Sequence, residues 1–295
     1  IRSLLSPIWH HKMNFENQQY ITTEDVLSQA HILISCNDAR KLLQHVLKTN
    51  HAHIITHPEQ NLTPIQIHTF QLLVKRRASG EPISYILGEC EFYSIKFKVT
   101  PSVLIPRQET ELLVDLALEK VSSSMSCKIL DLGTGSGVIA ITIAKHRTLS
   151  NVTAADNSAD AIAIAKTNAE CLSVNNVNFI KSDWFQALTK RKFDLIISNP
   201  PYIALNDPHL NQQDLRFEPK LALVAGQDGM VCIQTIISSA TSYINAGGWL
   251  LLEHGYNQAK ITKRLLKEAG FISIFSRSDL AGIPRVSGGR YDPPL

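Results

Sequence analysis

Cysteine is sparse and ungrouped in this chain of 295 residues. The five, at 36, 90, 127, 171 and 232, are odd in number and share no Cys-x-x-Cys spacing. That argues against a disulfide framework and a cysteine-held zinc, and the expectation is a reduced, cytoplasmic protein. Long apolar runs are missing as well. A stretch such as Val138–Ala144 is core-sized, far below the ~18 residues a membrane helix needs, so no membrane partner is expected. Ile1–Lys12 carries only a short apolar patch broken by Pro7, so no signal peptide is expected there. The first methionine is Met13, and residues 1–12 are read as upstream residues outside the folded chain. Charge of one sign is also lacking: 29 basic against 26 acidic side chains leave +3. Residues 13–90 hold six basic and seven acidic side chains, and residues 107–295 hold nineteen and eighteen. A protein that grips a nucleic-acid backbone usually carries a basic face. The clusters Lys75-Arg76-Arg77 and Lys190-Arg191-Lys192 are read as solvated surface, with no direct nucleic-acid contact. Five histidines lie between 31 and 57, but no carboxylate or cysteine is spaced with them, so no metal site is expected.

What is present is an ordinary globular balance, 44% apolar and 19% charged, with length for about two domains. Two grammars divide the chain. Residues 13–90 read as a small all-helical domain. Asn37 is a candidate N-cap, followed by Ala39, Leu42, Leu43, Val46 and Leu47 on one helical face. Thr63, Pro64 and Gln66 spell a capping box with proline in the first turn, opening a helix that runs to near Gly80. An earlier helix is expected around Glu24–Ile34. Residues 91–106, with Phe92, Ile95, Phe97 and Val99, read as a hairpin linker. From Arg107 onward the pattern is strand and helix in alternation. Strands are expected at Lys128–Leu132, Val152–Ala155, Val177–Ile180, Phe193–Ser198, Trp249–Glu253 and Phe271–Phe275. Helices are expected at Ala159–Ser173, Met230–Ile244 and Gln258–Ala269. Such alternation predicts an α/β fold with a mainly parallel sheet covered on both faces.

The first of these strands runs into Asp131-Leu-Gly133-Thr134-Gly135-Ser136-Gly137, and a helix follows at once. Glycines there let the backbone turn sharply and approach a ligand with no Cβ in the way. Asp156, about twenty residues on, suits the two hydroxyls of a ribose. The loop fits a nucleoside cofactor without saying which one, NAD or S-adenosyl-L-methionine. The fourth strand separates the two. It ends in Asn199-Pro200-Pro201-Tyr202 at the carboxyl edge, where open α/β sheets bind ligands. Two prolines fix φ and remove two N–H donors. The rigid loop presents carbonyls, an amide and an aromatic ring, a set suited to a planar –NH2 whose two hydrogens need two acceptors. The Asn199 side-chain oxygen and the Pro200 carbonyl would accept them, with Tyr202 against the flat group. A dehydrogenase has no use for such a pair.

These stretches make the chain resemble the S-adenosylmethionine-dependent methyltransferases that modify the glutamine of peptide chain release factors, the PrmC or HemK family. The resemblance extends over nearly everything after Met13. It includes Glu81–Gly88, Val103-Leu-Ile-Pro-Arg-Gln-Glu-Thr-Glu111, Arg216-Phe-Glu-Pro219, Asp279–Gly282 and Arg285-Val286. Gln108, where the family usually has proline, and His254, after Glu253, depart from its pattern. The resemblance implies a Rossmann-like class I methyltransferase domain over 107–295, preceded by the helical domain as a docking domain for class I release factors. It implies S-adenosyl-L-methionine as cofactor and S-adenosyl-L-homocysteine as product, in the cytoplasm. Gly133, Thr134, Gly135, Ser136 and Gly137 would hold the methionine and ribose part, and Asp156 the ribose. Asp183 and Trp184 would meet adenine, with plain core as the competing role for Trp184. Asn199 would touch both cofactor and substrate, and Pro200, Pro201 and Tyr202 would complete the substrate site. Arg107 and Glu109 would shape its rim. The implied product is glutamine of a Gly-Gly-Gln motif methylated on its side-chain nitrogen. No histidine, cysteine or lysine stands in the motif as a base, so catalysis by orientation is expected. Two rivals remain: a DNA methyltransferase acting on an adenine or cytosine amine, which shares Asn-Pro-Pro-Tyr, and a catalytically silent adaptor.

Overall fold

The computed structural model describes residues 20–293 except 190 and 212. The expectation for residues 1–12 falls outside them, as does Lys190 of the second basic cluster. The chain divides into two compact units between Leu87 and Gly88, three residues before the boundary read from the sequence.

The first unit is helical: α1 (Thr23–Ala30), α2 (Cys36–Leu47), α3 (His51–Thr56), α4 (Pro64–Ala78) and α5 (Ile83–Leu87). The α4 start is the expected box: Thr63 N–H donates to Gln66 Oε1 at 2.8 Å and Gln66 N–H to Thr63 Oγ1 at 3.3 Å. The cap of α2 is Ser35 and not Asn37, because the Ser35 hydroxyl reaches the Asp38 N–H at 3.1 Å and starts the helix earlier. Helix α1 stops at Ala30, whose carbonyl accepts from Leu33 and Ile34 at 2.9 and 3.0 Å and closes a turn. Val26, Ala30, Leu42, Leu43, Phe70 and Val74 form the core of this unit. The basic cluster at the end of α4 is tied down within the unit: Arg76 pairs with Glu81 at 2.5 Å and Arg77 with Asp38 at 2.8 Å.

The second unit opens with a hairpin, β1 (Glu89–Phe92) and β2 (Ile95–Lys98), turned by Tyr93 and Ser94 at φ 53° and 57°. Both central residues lie in the left-handed region, as a type I′ hairpin turn requires. The hairpin is not a free linker. Phe92 and Phe97 are buried in the core of this unit, and the Tyr93 hydroxyl donates to Asp115 at 2.7 Å. That bond, more than burial, raises the phenol to about 12.

The rest is α6 (Glu111–Lys120), β3 (Lys128–Leu132), α7 (Val138–His146), β4 (Asn151–Asp156), α8 (Ala159–Cys171), β5 (Val177–Lys181), β6 (Phe193–Ser198), α9 (Val231–Ala240), β7 (Ile244–Glu253), α10 (Ala259–Glu268), β8 (Phe271–Ser278) and β9 (Pro284–Tyr291). The seven strands run in the order β5-β4-β3-β6-β7-β9-β8, with β5 to β7 mutually parallel and β9 antiparallel to both neighbours. Alternate residues feed two cores. Ile129, Leu195 and Ile197 face one with α6 and α7, while Leu130, Leu132 and Ile196 face the other with α9 and Leu266 of α10. Strand β9 is absent from the sequence expectation because Pro284 and the pair Gly288-Gly289 weaken its signal. The glycines are required by crowding: a Cβ on Gly288 would stand 2.6 Å from Leu251 Cδ2, and one on Gly289 2.9 Å from Phe271 Cβ. Helix α9 also ends sooner than expected. Tyr243 turns back to Ala240 and its carbonyl accepts from Phe193 N–H at 2.8 Å, so Ile244 already belongs to β7. Among the described residues no helix is long and apolar enough to cross a membrane.

Candidate active site

Four neighbouring strands, β5, β4, β3 and β6, end in the four expected motifs, so these share one sheet edge. Three strand spacings span about 14 Å.

The glycine loop between β3 and α7 is held by backbone bonds. Gly133 and Thr134 N–H both donate to the Ala155 carbonyl, at 2.8 and 3.0 Å, and Gly137 N–H donates to Thr134 O at 2.8 Å. Gly133, Gly135 and Gly137 have φ of 71°, 57° and 85°. A Cβ on Gly137 would stand 2.8 Å from Ile141 Cδ1 and 3.0 Å from Ala165 Cβ, so this glycine permits close helix packing. A Cβ on Gly135 would meet nothing within 4 Å; that position is open to a ligand. Ser136 is buried and its carbonyl accepts from Asn168 Nδ2 at 2.8 Å.

Asp156 closes β4. One oxygen accepts from Gly135 N–H and the other from Ser158 N–H, both at 2.9 Å. Burial raises its pKa, against the pull of those N–H groups. Asp131 lies fully buried behind the loop. Its Oδ2 accepts from the Thr134 hydroxyl at 2.6 Å, and its Oδ1 has no protein partner. Burial pushes this carboxyl up to about 7.

After β5, Ser182 N–H donates to the Asp156 carbonyl at 2.9 Å, setting Asp183 and Trp184 beside β4. Asp183 is exposed and accepts from Gln186 Nε2 at 3.1 Å. Trp184 has φ 45°, and its carbonyl accepts from Ser182 Oγ at 2.8 Å. Its ring packs on the second core, and Cζ3 would lie 3.9 Å from a Cβ on Gly133. The indole is thus a core contact and also a wall beside the glycine loop.

Beyond β6, the Asn199 side chain is aimed by Thr110: Nδ2 donates to Thr110 Oγ1 at 3.1 Å. That leaves Oδ1 as the acceptor end of the amide. Tyr202 donates its hydroxyl to Glu253 Oε1 at 3.3 Å. Its carbonyl accepts from Gln258 Nε2 at 3.0 Å, and a Cβ on Gly229 would come within 2.3 Å of that carbonyl. Burial, with the Glu253 charge second, moves the Tyr202 phenol well above its ordinary value. Ser198 anchors the base of the loop by donating to Leu132 O at 2.7 Å.

Residues 20–88 match the PrmC N-terminal domain family, and residues 108–214 the methyltransferase small domain family. The release factor glutamine methyltransferase of Xylella fastidiosa (strain 9a5c) is 44% identical over 253 residues, covering 86% of this chain and 92% of that protein. The one from Coxiella burnetii (strain RSA 493 / Nine Mile phase I) is 47% identical over 253 residues, covering 86% and 91%. The chain belongs to the release factor glutamine methyltransferase family. The crystal structure of a methyltransferase from Pyrococcus furiosus shares the fold at 16% identity, with a TM-score of 0.52 over 74% of this chain and 98% of that one.

Several residues around this candidate site carry no chemical signature of their own in the sequence. Thr110 and Glu218 lie inside quoted stretches, yet nothing in those stretches says what they touch. Glu218 is buried, accepts from Ile105 N–H at 3.0 Å and pairs with Arg107, which fastens the segment before Thr110. Burial raises the Glu218 carboxyl while Arg107 opposes the shift. Glu253, Gly229 and Gln258 meet Tyr202 only through the fold. His254, one of the two departures, is buried and bonds within its own unit, to the Gly255 carbonyl at 2.9 Å and Ser287 Oγ at 2.8 Å.

Proposed function

We propose that the protein transfers the methyl group of S-adenosyl-L-methionine to the side-chain nitrogen of the glutamine in the Gly-Gly-Gln motif of class I peptide chain release factors, in the cytoplasm. The observation that carries this reading is the Asn199 amide, turned so that its nitrogen donates to Thr110 and its oxygen is left as an acceptor. With the Pro200 carbonyl it offers two acceptors to the two hydrogens of a primary amide.

The residues at the sheet edge fit the cofactor. Gly135 leaves open space where a Cβ would stand, Asp131 Oδ1 is a buried acceptor without a partner, and each Asp156 oxygen keeps a lone pair beyond its backbone N–H. Gly133, Thr134, Gly135, Ser136 and Gly137 would hold its methionine and ribose part, Asp156 its ribose, and Asp183 with Trp184 its adenine. When bound, the cofactor supplies an electrophilic methyl carried on a sulfonium. Pro200, Pro201 and Tyr202 confine the substrate amide to a plane, and Asn199 points its nitrogen toward that methyl. An amide nitrogen is a poor nucleophile, and orientation of bound reactants lowers a barrier by roughly 7–11 kcal/mol in favourable systems. Acceptors on both amide hydrogens also favour the positive charge that develops on nitrogen, and the methylated nitrogen then loses one proton to water. The helical unit is the surface available for docking the release factor, since four residues that fit any planar amide cannot select one protein.

The test is incubation with labelled S-adenosyl-L-methionine and purified class I release factor, followed by mass mapping. One methyl on the Gly-Gly-Gln glutamine is expected. An unmodified release factor, or label on DNA adenine or cytosine instead, overturns the proposal.

A further inference from the structure

The Asn199 amide works only in one of its two orientations. Rotated by half a turn it would present –NH2 to a substrate –NH2, and two donors would face each other. Thr110 selects the productive one. It stands at the start of α6, where threonine ordinarily caps by accepting a backbone N–H from the first turn. Here it makes no such cap, and its oxygen accepts from Asn199 Nδ2 instead. Thr110 as a residue is only 2% exposed. At the neighbouring end of β7, Glu253 Oε1 accepts from the Tyr202 hydroxyl at 3.3 Å, while its Oε2 has no protein partner. Glu253 is itself 1% exposed, and the pairing of Ser198 with Leu252 brings the end of β7 alongside Asn199. With Thr110 Oγ1 accepting from Nδ2 at 3.1 Å, Asn199 gives its –NH2 to the threonine and keeps Oδ1 as its acceptor.

We propose that Thr110 is a positioning residue that sets the orientation of the Asn199 amide. This rests on the reading of Asn199 Oδ1 as the acceptor for the substrate amide. Thr110 does not touch the reacting atoms; it acts through Asn199.

The experiment is a double-mutant cycle on the full-length enzyme with class I release factor. It reads kcat and KM, single-turnover rates with labelled S-adenosyl-L-methionine, and cofactor affinity by calorimetry. Thr110→Val keeps the shape but removes the acceptor. It is expected to lower kcat about tenfold, the scale of one hydrogen bond, with KM and cofactor affinity within about twofold. Thr110→Ser should restore most of the rate. In an Asn199→Ala background, Thr110→Val should change the single-turnover rate less than about twofold, because the group it orients is gone. Should the valine variant not fold, Thr110→Ala replaces it in the same cycle. A wild-type kcat for the hydroxyl-less variant, or an equal loss in both backgrounds, overturns the positioning role while leaving the amide acceptor intact. A wild-type rate for Asn199→Ala alone overturns the underlying reading instead.

Discussion

The two ends of the candidate site are built differently. At β3, β4 and β5 the contacts are mostly backbone: Gly133, Thr134 and Gly135 donate N–H groups to the end of the next strand, and Ser182 donates back to it. At β6 they are mostly side chain and come from far along the chain. Asn199 leans on Thr110, 89 residues earlier, and Tyr202 on Glu253 and Gln258, 51 and 56 residues later. A backbone cradle suits a ligand bound in the same way in every turnover. A side-chain frame suits a group that has to be aimed. On the proposed reading, the cradle sets affinity for cofactor and the frame sets orientation of substrate, so each is expected to be damaged alone.

The largest effect is expected at the aimed end. Asn199→Ala removes an acceptor and misdirects the amide nitrogen, and the single-turnover rate should fall about 100-fold or more, combining a lost hydrogen bond with lost orientation. Quench-flow with labelled cofactor measures it. Next is the helical unit, whose separate core makes it removable. With residues 1–87 deleted, kcat/KM on intact release factor should drop on the order of tenfold or more, the scale of losing one or two interface hot spots. The rate on a short Gly-Gly-Gln peptide should stay nearly constant. Steady-state rates on both substrates, after circular dichroism shows folded protein, decide it; an equal loss on both would make the unit a support for the fold.

Damage at the cradle should be smaller and of another kind. Asp156→Ala is expected to raise the cofactor Kd roughly tenfold, since hydrogen bonds to a charged acceptor contribute about 1.5–3 kcal/mol. Calorimetry gives the answer directly. The mildest effect is a pH slope in stability at Glu253. Burial holds its folded pKa near 7, above the ordinary 4.5. Between those values the folded protein keeps a proton the unfolded chain has lost, so stability declines as pH rises through about 4.5 to 7 and then levels off. Glu253→Gln cannot titrate and should lack that slope. The Tm difference between variant and parent should move by several degrees in the variant's favour from pH 5 to pH 7, read by scanning calorimetry.

The same contrast explains what the sequence could tell. Gly133 to Gly137, Asp156 and Asn199 to Tyr202 each sit in a short stretch whose residue types carry the chemistry, so spacing alone placed them at strand ends. Strand and helix periodicity likewise exposed the parallel part of the sheet. Thr110 could not be read in this way, because a threonine before a helix looks like a cap, and only the fold shows its hydroxyl diverted to Asn199. Gly229 carries no local cue either; its role exists only because Tyr202 O passes where its Cβ would be. Strand β9 stayed hidden for a related reason. Its glycines answer to Leu251 and Phe271 on other strands, and a pattern confined to one segment reads them as a break.

The division between cradle and frame is tested most directly by the cofactor Kd of Asn199→Ala, measured by calorimetry beside its single-turnover rate at saturating cofactor. The predicted result is a Kd within about threefold of the parent and a rate about 100-fold lower, the loss of orientation without the loss of binding. A Kd that rises as far as the rate falls, or a rate that does not fall, would contradict it.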